Sequence, residues 1–261
     1  MALQFETLRT ETDNHVRTIA LDRSKHQNAF GEVMREELLH ALMEAQDDDE
    51  VRVIVITGSG RWFCTGGDVK QMLALKDEEA GFEKIRPILD EGRRVVTMIH
   101  DMPKPVVAMV NGAATGAGMT LALACDVRIA SDHATFTQNF VHAGLHPDWG
   151  GTWFLPRLVG PGRAMELFWT GRRVEAEEAE EMGLVQQVVP HPHLEEHTLR
   201  FTRRLVKAPA ATLRLVKMAV QNAQALDLQS MLDYEAEAQQ QCWEAAGTTE
   251  RLRAYVNKQR S

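Results

Sequence analysis

A chain of 261 residues, 44% of them hydrophobic, can bury a large core, either as one sizeable domain or as a domain with a small helical appendage. Its formal net charge of −8 argues against nucleic acid as a partner, because phosphate backbones are bound by clustered Lys and Arg. Cys64, Cys125 and Cys242 lie far apart, with neither metal-ligand spacing nor a disulfide framework, so the expectation is a reducing cytoplasm and no metal site. The opening MALQFETLRTETDN lacks the basic start and apolar core of a signal peptide, and no apolar run reaches membrane-spanning length; neither export nor a membrane is expected. Residues 14–21 alternate as a strand. Residues 31–47 place Val33, Leu38, Leu42 and Ala45 at helical spacing, with the acids and Arg35 read as surface positions. The β-branched run 51–57 reads as an interior strand, 105–112 as another, MTLALACD as a helix and 127–131 as a further strand. This alternation predicts an α/β fold with right-handed crossovers, whose strand-leaving loops build the site. Beyond about residue 160 the strand signals fade. Residues 175–182, 193–207 and 209–225 read as helices, and TTERLRAYVNKQR opens on a Thr cap for a last amphipathic helix.

Two glycine-rich loops stand out. GSGRWFCTGGDVKQM follows the strand at 51–57 and lets backbone approach a ligand closely. NGAATGAGMTLALACD joins glycines to a helix start, where unpaired N–H groups favour negative charge. Neither ends in the GK[ST] of a phosphate loop, and the second is short of a dinucleotide fingerprint. Each alone is equally well read as a tight strand-to-helix turn that binds nothing.

Taken together and in order, LDRSKHQNAF, FCTGGDVK, KPVVAMVNGAATGAGMTLALACD, LHPDWGGTWFLPRLVG and GRAMELFWTGRRVEAEEAEEMGLV resemble the crotonase (enoyl-CoA hydratase/isomerase) superfamily over nearly the whole chain. The resemblance implies an α/β, ClpP-like spiral of ββα turns binding acyl-CoA over 1–200, and a helical trimerisation region over 201–261. It implies that the N–H groups of Gly67 and Ala117 hold a thioester enolate. Fixed donors aimed at an oxygen that gains charge stabilise the transition state over the substrate. It further places coenzyme A along 24–29 and 65–70, with Lys25, Gln27, Ala29, Thr65, Gly66, Gly67, Asp68, Val69 and Lys70 as binding residues and Lys258 reaching a neighbour's phosphate. No separate cofactor is implied, since coenzyme A is part of the substrate. The implied assembly is a homotrimer or a dimer of trimers.

Where hydratases of the superfamily carry two catalytic Glu residues, this chain has Thr120 and Phe140. Neither a hydroxyl of ordinary pKa nor a phenyl ring can deprotonate water. The remaining carboxylate is Asp148 in GLHPDWGGTW, and PDWGGTWFLPR resembles the segment of phenylacetate-pathway enoyl-CoA isomerases that carries their Asp. One carboxylate suffices to move a proton between two carbons of a dienolate. Met119, Thr120, Phe140, Leu145 and Trp149 are expected around the acyl group, raising the Asp148 pKa and excluding water. The competing reading makes Asp148 a cap of the helix begun by GGTW. His142 and His146 read as structural or surface residues, and His100 as a helix-surface residue. Thr97 stands where aromatic acyl-CoA dehalogenases of the superfamily carry a His. Hydration with Asp148 alone, and a non-catalytic acyl-CoA or RNA binder, complete the alternatives. The helix at 31–47 carries Glu32, Glu36, Glu37 and Glu44 and no lysine, which weighs against RNA.

Overall fold

The computed structural model describes residues 5–31, 33–78 and 81–258. The chain divides into two compact units, Met1–Val206 and Lys207–Ser261. The first is built on β1 (Leu8–Asp13), β2 (Val16–Leu21), β3 (Val53–Gly58), β5 (Val106–Val110), β7 (Val127–Ser131) and β10 (Gln187–Val189), which form one six-stranded sheet in that order. Between the long strands the chain lays down short ones, β4 (Trp62–Cys64), β6 (Ala113–Thr115), β8 (Thr135–Thr137) and β9 (Arg173–Glu175), which make a second, four-stranded sheet.

The sequence dictates much of this. β3 is apolar without interruption because both its faces are covered, as expected of an interior parallel strand. Ile54 and Ile56 point into the main core, while Val53 and Val55 join Val16, Val107 and Ile129 on the other face. Leu194, Phe201 and Leu205 of α8 (Leu194–Lys207) cover that second face. β1 and β2 pair antiparallel through Asn14 and His15, both at positive φ, the backbone a two-residue hairpin turn requires. β2, β3, β5 and β7 then run parallel.

A repeating unit of long strand, short strand and helix results. β3 and β4 lead to α2 (Val69–Asp77) and α3 (Phe82–Asp101), and β5 and β6 to α4 (Ala117–Ala124). β7 and β8 lead, through a short 3₁₀ turn, to α5 (Gly151–Val159). In the first turn a single parallel bridge, Phe30 to Gly67, stands where the others have a short strand, ahead of α1 (Met34–Asp47). α6 (Pro161–Thr170) and α7 (Ala176–Glu181) complete the unit.

The second unit holds α9 (Ala210–Asn222), α10 (Leu228–Glu244) and α11 (Thr248–Lys258). Asp227 caps α10 by accepting from the Ser230 N–H at 2.8 Å, and the Tyr234 hydroxyl donates to the Leu215 carbonyl, tying α10 to α9. No helix among the described residues is long and apolar enough to cross a membrane.

Several expectations need correction. A division at residue 200 would cut α8; the first unit runs to Val206 because Phe201 and Leu205 still pack on the sheet. Two short strands, β9 and β10, lie beyond residue 160, where the strand signals fade. Thr248 is already the first residue of α11, and its hydroxyl donates to the Cys242 carbonyl rather than capping. Arg35 is buried, not on the surface. The twenty-residue α3, which has Pro87 inside it, extends far upstream of His100, the one position there that the sequence placed on a helix.

Candidate active site

β4 and β6 are parallel neighbours, so the residues that leave their C-terminal ends come side by side. After β4 the chain turns at Gly66, φ +86°, where a Cβ would lie 2.7 Å from the Thr115 carbonyl oxygen; only glycine fits. After β6 it turns at Gly116, φ +54°, directly into α4. The Gly66–Asp68 segment is pinned from the far side, where the Phe30 N–H donates to the Gly66 carbonyl at 2.8 Å and the Asp68 N–H donates to the Phe30 carbonyl at 3.3 Å. That ladder leaves the Gly67 N–H unused. Ala117 is the first residue of α4, where a helix leaves its N–H groups without intrahelical acceptors. Among the described residues no acceptor takes the N–H of Gly67 or of Ala117. Both residues line one cavity of about 110 Å³.

Asp148 lines the same cavity. It sits at the start of a tight turn closed by the Gly151 N–H donating to the Asp148 carbonyl at 2.9 Å, with Trp149 and Gly150 between them at φ +53° and +83°. The cap of α5 is Gly150, with no side-chain hydrogen bond, so Asp148 does not cap that helix. Its Oδ1 is buried and has no hydrogen-bond partner. Burial pushes the carboxyl up from its ordinary 3.8 to about 6, against smaller opposing effects of its own backbone N–H and the charge of His146. Two unspent amides and one desolvated carboxylate opening on the same space can hold an oxyanion and move a proton beside it.

The enoyl-CoA hydratase/isomerase family profile matches residues 11–261. This chain belongs to that family. A probable enoyl-CoA hydratase of Rhodobacter capsulatus is 39% identical over 256 residues, covering 98% of this chain and 97% of that protein. The 1,2-epoxyphenylacetyl-CoA isomerase of Escherichia coli is 34% identical over 261 residues, covering 97% of each. The crystal structure of an enoyl-CoA hydratase from Bacillus anthracis matches with a TM-score of 0.91 at 34% identity, covering 97% of each chain. The crotonase fold expected from the motifs is therefore the fold of this chain.

In this enoyl-CoA hydratase/isomerase family member, Phe140, Leu145 and Trp149 join the cavity wall, as do Thr65, Gly67 and Val69. Met119 and Thr120 do not. Met119 is packed in the core, and the Thr120 hydroxyl donates to the Gly116 carbonyl at 3.3 Å, one turn back in α4. The two segments expected to carry coenzyme A do meet: the Thr65 N–H and hydroxyl both donate to the Gln27 carbonyl, at 3.3 and 3.2 Å. Lys25, Lys70 and Val69 are exposed, whereas Ala29 is buried and its carbonyl accepts from Arg23. Asp68 has structural duties, capping α2 through the Gln71 N–H at 3.4 Å and pairing with Arg23 at 3.7 Å. Lys258 ends α11 as an exposed residue of the second unit. His142 and His146 are exposed, as expected. His100 is less of a surface residue than expected; it packs edge-on against Trp153, with centroids 5.2 Å apart.

Sequence reasoning missed Arg35 and the part of the wall that α3 supplies. Arg35 lines the cavity with only 5% of its surface exposed, its Nε donating to Glu91 of α3 at 2.6 Å and its Nη1 to the Phe30 carbonyl at 3.2 Å. The signal was present, since Arg35 falls three and four residues before Leu38 and Leu39, on the buried stripe of α1. Ile85, Ile88 and Leu89 of α3 supply apolar wall.

Proposed function

We propose that this protein shifts the double bond of an enoyl-CoA, with Asp148 carrying the proton and the Gly67 and Ala117 amides holding the thioester oxygen. The observation that carries this reading is the Asp148 carboxylate, unpartnered at Oδ1 and facing a cavity that also exposes two unspent N–H groups. Ionised Asp148 takes a proton from C2 of a 3-enoyl-CoA. The electron pair moves into the thioester, whose oxygen becomes anionic against the two amides. The neutral acid then returns the proton to C4, the dienolate collapses, and a 2-enoyl-CoA leaves with the base restored. No electrons or co-reactants are exchanged, so the substrate's own coenzyme A is the only cofactor the step needs.

Hydration is the second reading, and the 39% identical relative named a probable hydratase favours it. It requires a water held and deprotonated by carboxylates. Among the described residues Asp148 is the only carboxylate lining the cavity, and Thr120 lies outside it. The 34% identical relative named an isomerase supports the first reading. We take the setting to be a reducing cytoplasm, in keeping with three free cysteines. The expected assembly is a homotrimer or a dimer of trimers, for which the exposed Val220, Leu228, Trp243 and Tyr255 of the second unit offer apolar surface.

The experiment is incubation of a 3-enoyl-CoA and a 2-enoyl-CoA in deuterated water with the native protein and with Asp148→Asn. Isomerisation that disappears in the variant while acyl-CoA still binds supports the proposal. Formation of 3-hydroxyacyl-CoA without any double-bond shift overturns it.

A further inference from the structure

Trp149 belongs to two cavities at once. On one side is the space shared with Asp148, Gly67 and Ala117; on the other a second cavity of about 400 Å³, whose wall includes Val96, Thr97, Trp153 and Phe154. The indole is held tightly between them. It stacks on Phe30 with centroids 4.3 Å apart and planes 29° from parallel. Its ring edge lies against the backbone of α3 at Gly92, where a Cβ would stand 2.0 Å from Nε1. Only 6% of the residue is exposed, and its backbone sits at φ +53°, a conformation that is strained for a large side chain and persists only where the surroundings impose it. Two neighbours and its own backbone therefore fix one ring as a wall.

We propose that Trp149 determines acyl specificity: it ends the acyl site against the Phe30–Trp149 stack, admits compact acyl groups, and bars long straight chains from the second cavity. This rests on the acyl-CoA reading above, and it names the substrate class of that site. With the thioester oxygen at Gly67 and Ala117 and Asp148 beside C2, the acyl tail runs along Ile85, Ile88 and Leu89 towards the adjacent indole. A short or ring-bearing tail ends there. A long one has to displace a side chain that is stacked, edge-packed and backbone-locked. Removing the indole would open the acyl site towards the second cavity, whose wall continues along Val96 and Phe154 with Arg93 and His100 beside them.

The test measures binding of saturated hexanoyl-CoA and dodecanoyl-CoA by calorimetry, which does not depend on turnover. The native protein is expected to prefer hexanoyl-CoA, and Trp149→Gly, whose glycine suits the positive φ, to shift the ratio towards dodecanoyl-CoA by about tenfold or more. Trp149→Phe, keeping an aromatic face, shifts it less and serves as the readout if the glycine variant does not fold. Equal affinities in the native protein, or a ratio unchanged in both variants, overturn the assignment. Asp148→Asn in parallel separates the two proposals: it leaves the chain-length ratio where it was even if double-bond isomerisation proves to be the wrong reaction.

Discussion

A Cβ built on Gly66 would stand 3.1 Å from the amide nitrogen of Ala117. The two glycine-rich loops are thus packed so closely that the backbone of one sets the position of the free N–H of the other. Gly66→Ala has to push the loops apart, because the Thr115 carbonyl at 2.7 Å is backbone and cannot swing aside, and φ +86° is strained for alanine in any case. The expected outcome is a fall in kcat of about 10²- to 10³-fold, the scale of losing one oxyanion donor. Saturation kinetics check it, and a native-like kcat would mean that these amides do not hold the reacting oxygen.

Asp148 acts as a base only when ionised, so with its pKa raised to about 6 the rate should climb through that pH and level off above it. The same burial has a stability cost of known sign. An acid whose folded pKa lies above its unfolded value binds protons more tightly when folded, so the fold is favoured at low pH and loses that advantage as pH rises from about 4 through 6. Asp148→Asn should therefore abolish isomerisation and, at pH 8, melt higher than the native protein, the difference shrinking as pH falls from about 6 to 4. A variant that melts lower at pH 8 would show that the carboxylate has a structural partner.

The long strands were legible because β3 and β5 are short apolar runs bounded by turn residues, the pattern of a strand buried on both faces. β4, β6 and β8 were not, each being three residues long and held by register with its neighbours, a tertiary property. At the site, Gly67, Ala117 and Asp148 were all reached through motif resemblance, Asp148 with the added argument that no other carboxylate stands in its loop. Arg35 was hidden because a charge on a helix is normally solvated, and its burial depends on Glu91, fifty-six residues away. Met119 and Thr120 were misplaced for a related reason: α4 is buried all round, so spacing along it does not reveal which side faces the cavity.

Gly92 lies on the buried stripe of α3 together with Val95, Val96 and Ile99. In an exposed helix Gly→Ala gains about 0.8–1.0 kcal/mol of propensity. Here the added methyl meets the Trp149 indole at 2.0–2.5 Å, and overpacking of that kind typically costs about 1–3 kcal/mol. The clash wins. Gly92→Ala should lower the melting temperature and, by tilting the indole away from Phe30, alter the tryptophan fluorescence; a stabilised variant with an unchanged spectrum would contradict this packing.

Arg35 joins three parts of the site without acting on the proton. Its Nη1 bonds the carbonyl of Phe30, the same residue whose peptide groups bridge Gly67, and its Nε is held by Glu91 of α3, one residue from the glycine that accommodates Trp149. Arg35→Met removes the brace on the Phe30–Gly67 bridge while roughly preserving volume. Glu91 is about one-third exposed, so the carboxylate left behind can be hydrated and the stability loss should stay near 1–2 kcal/mol rather than the larger cost of a fully buried pair. Sub-ångström drift of an oxyanion donor is more damaging to rate than to binding, since the bond matters most when the oxygen is charged. Kcat should therefore fall by about tenfold or more, with acyl-CoA affinity close to native. The cation is not among the groups that set the Asp148 ionisation, so the pH midpoint near 6 should stay in place. A moved midpoint with an unchanged plateau rate would instead make Arg35 an electrostatic partner of the base, and the bracing role would be lost.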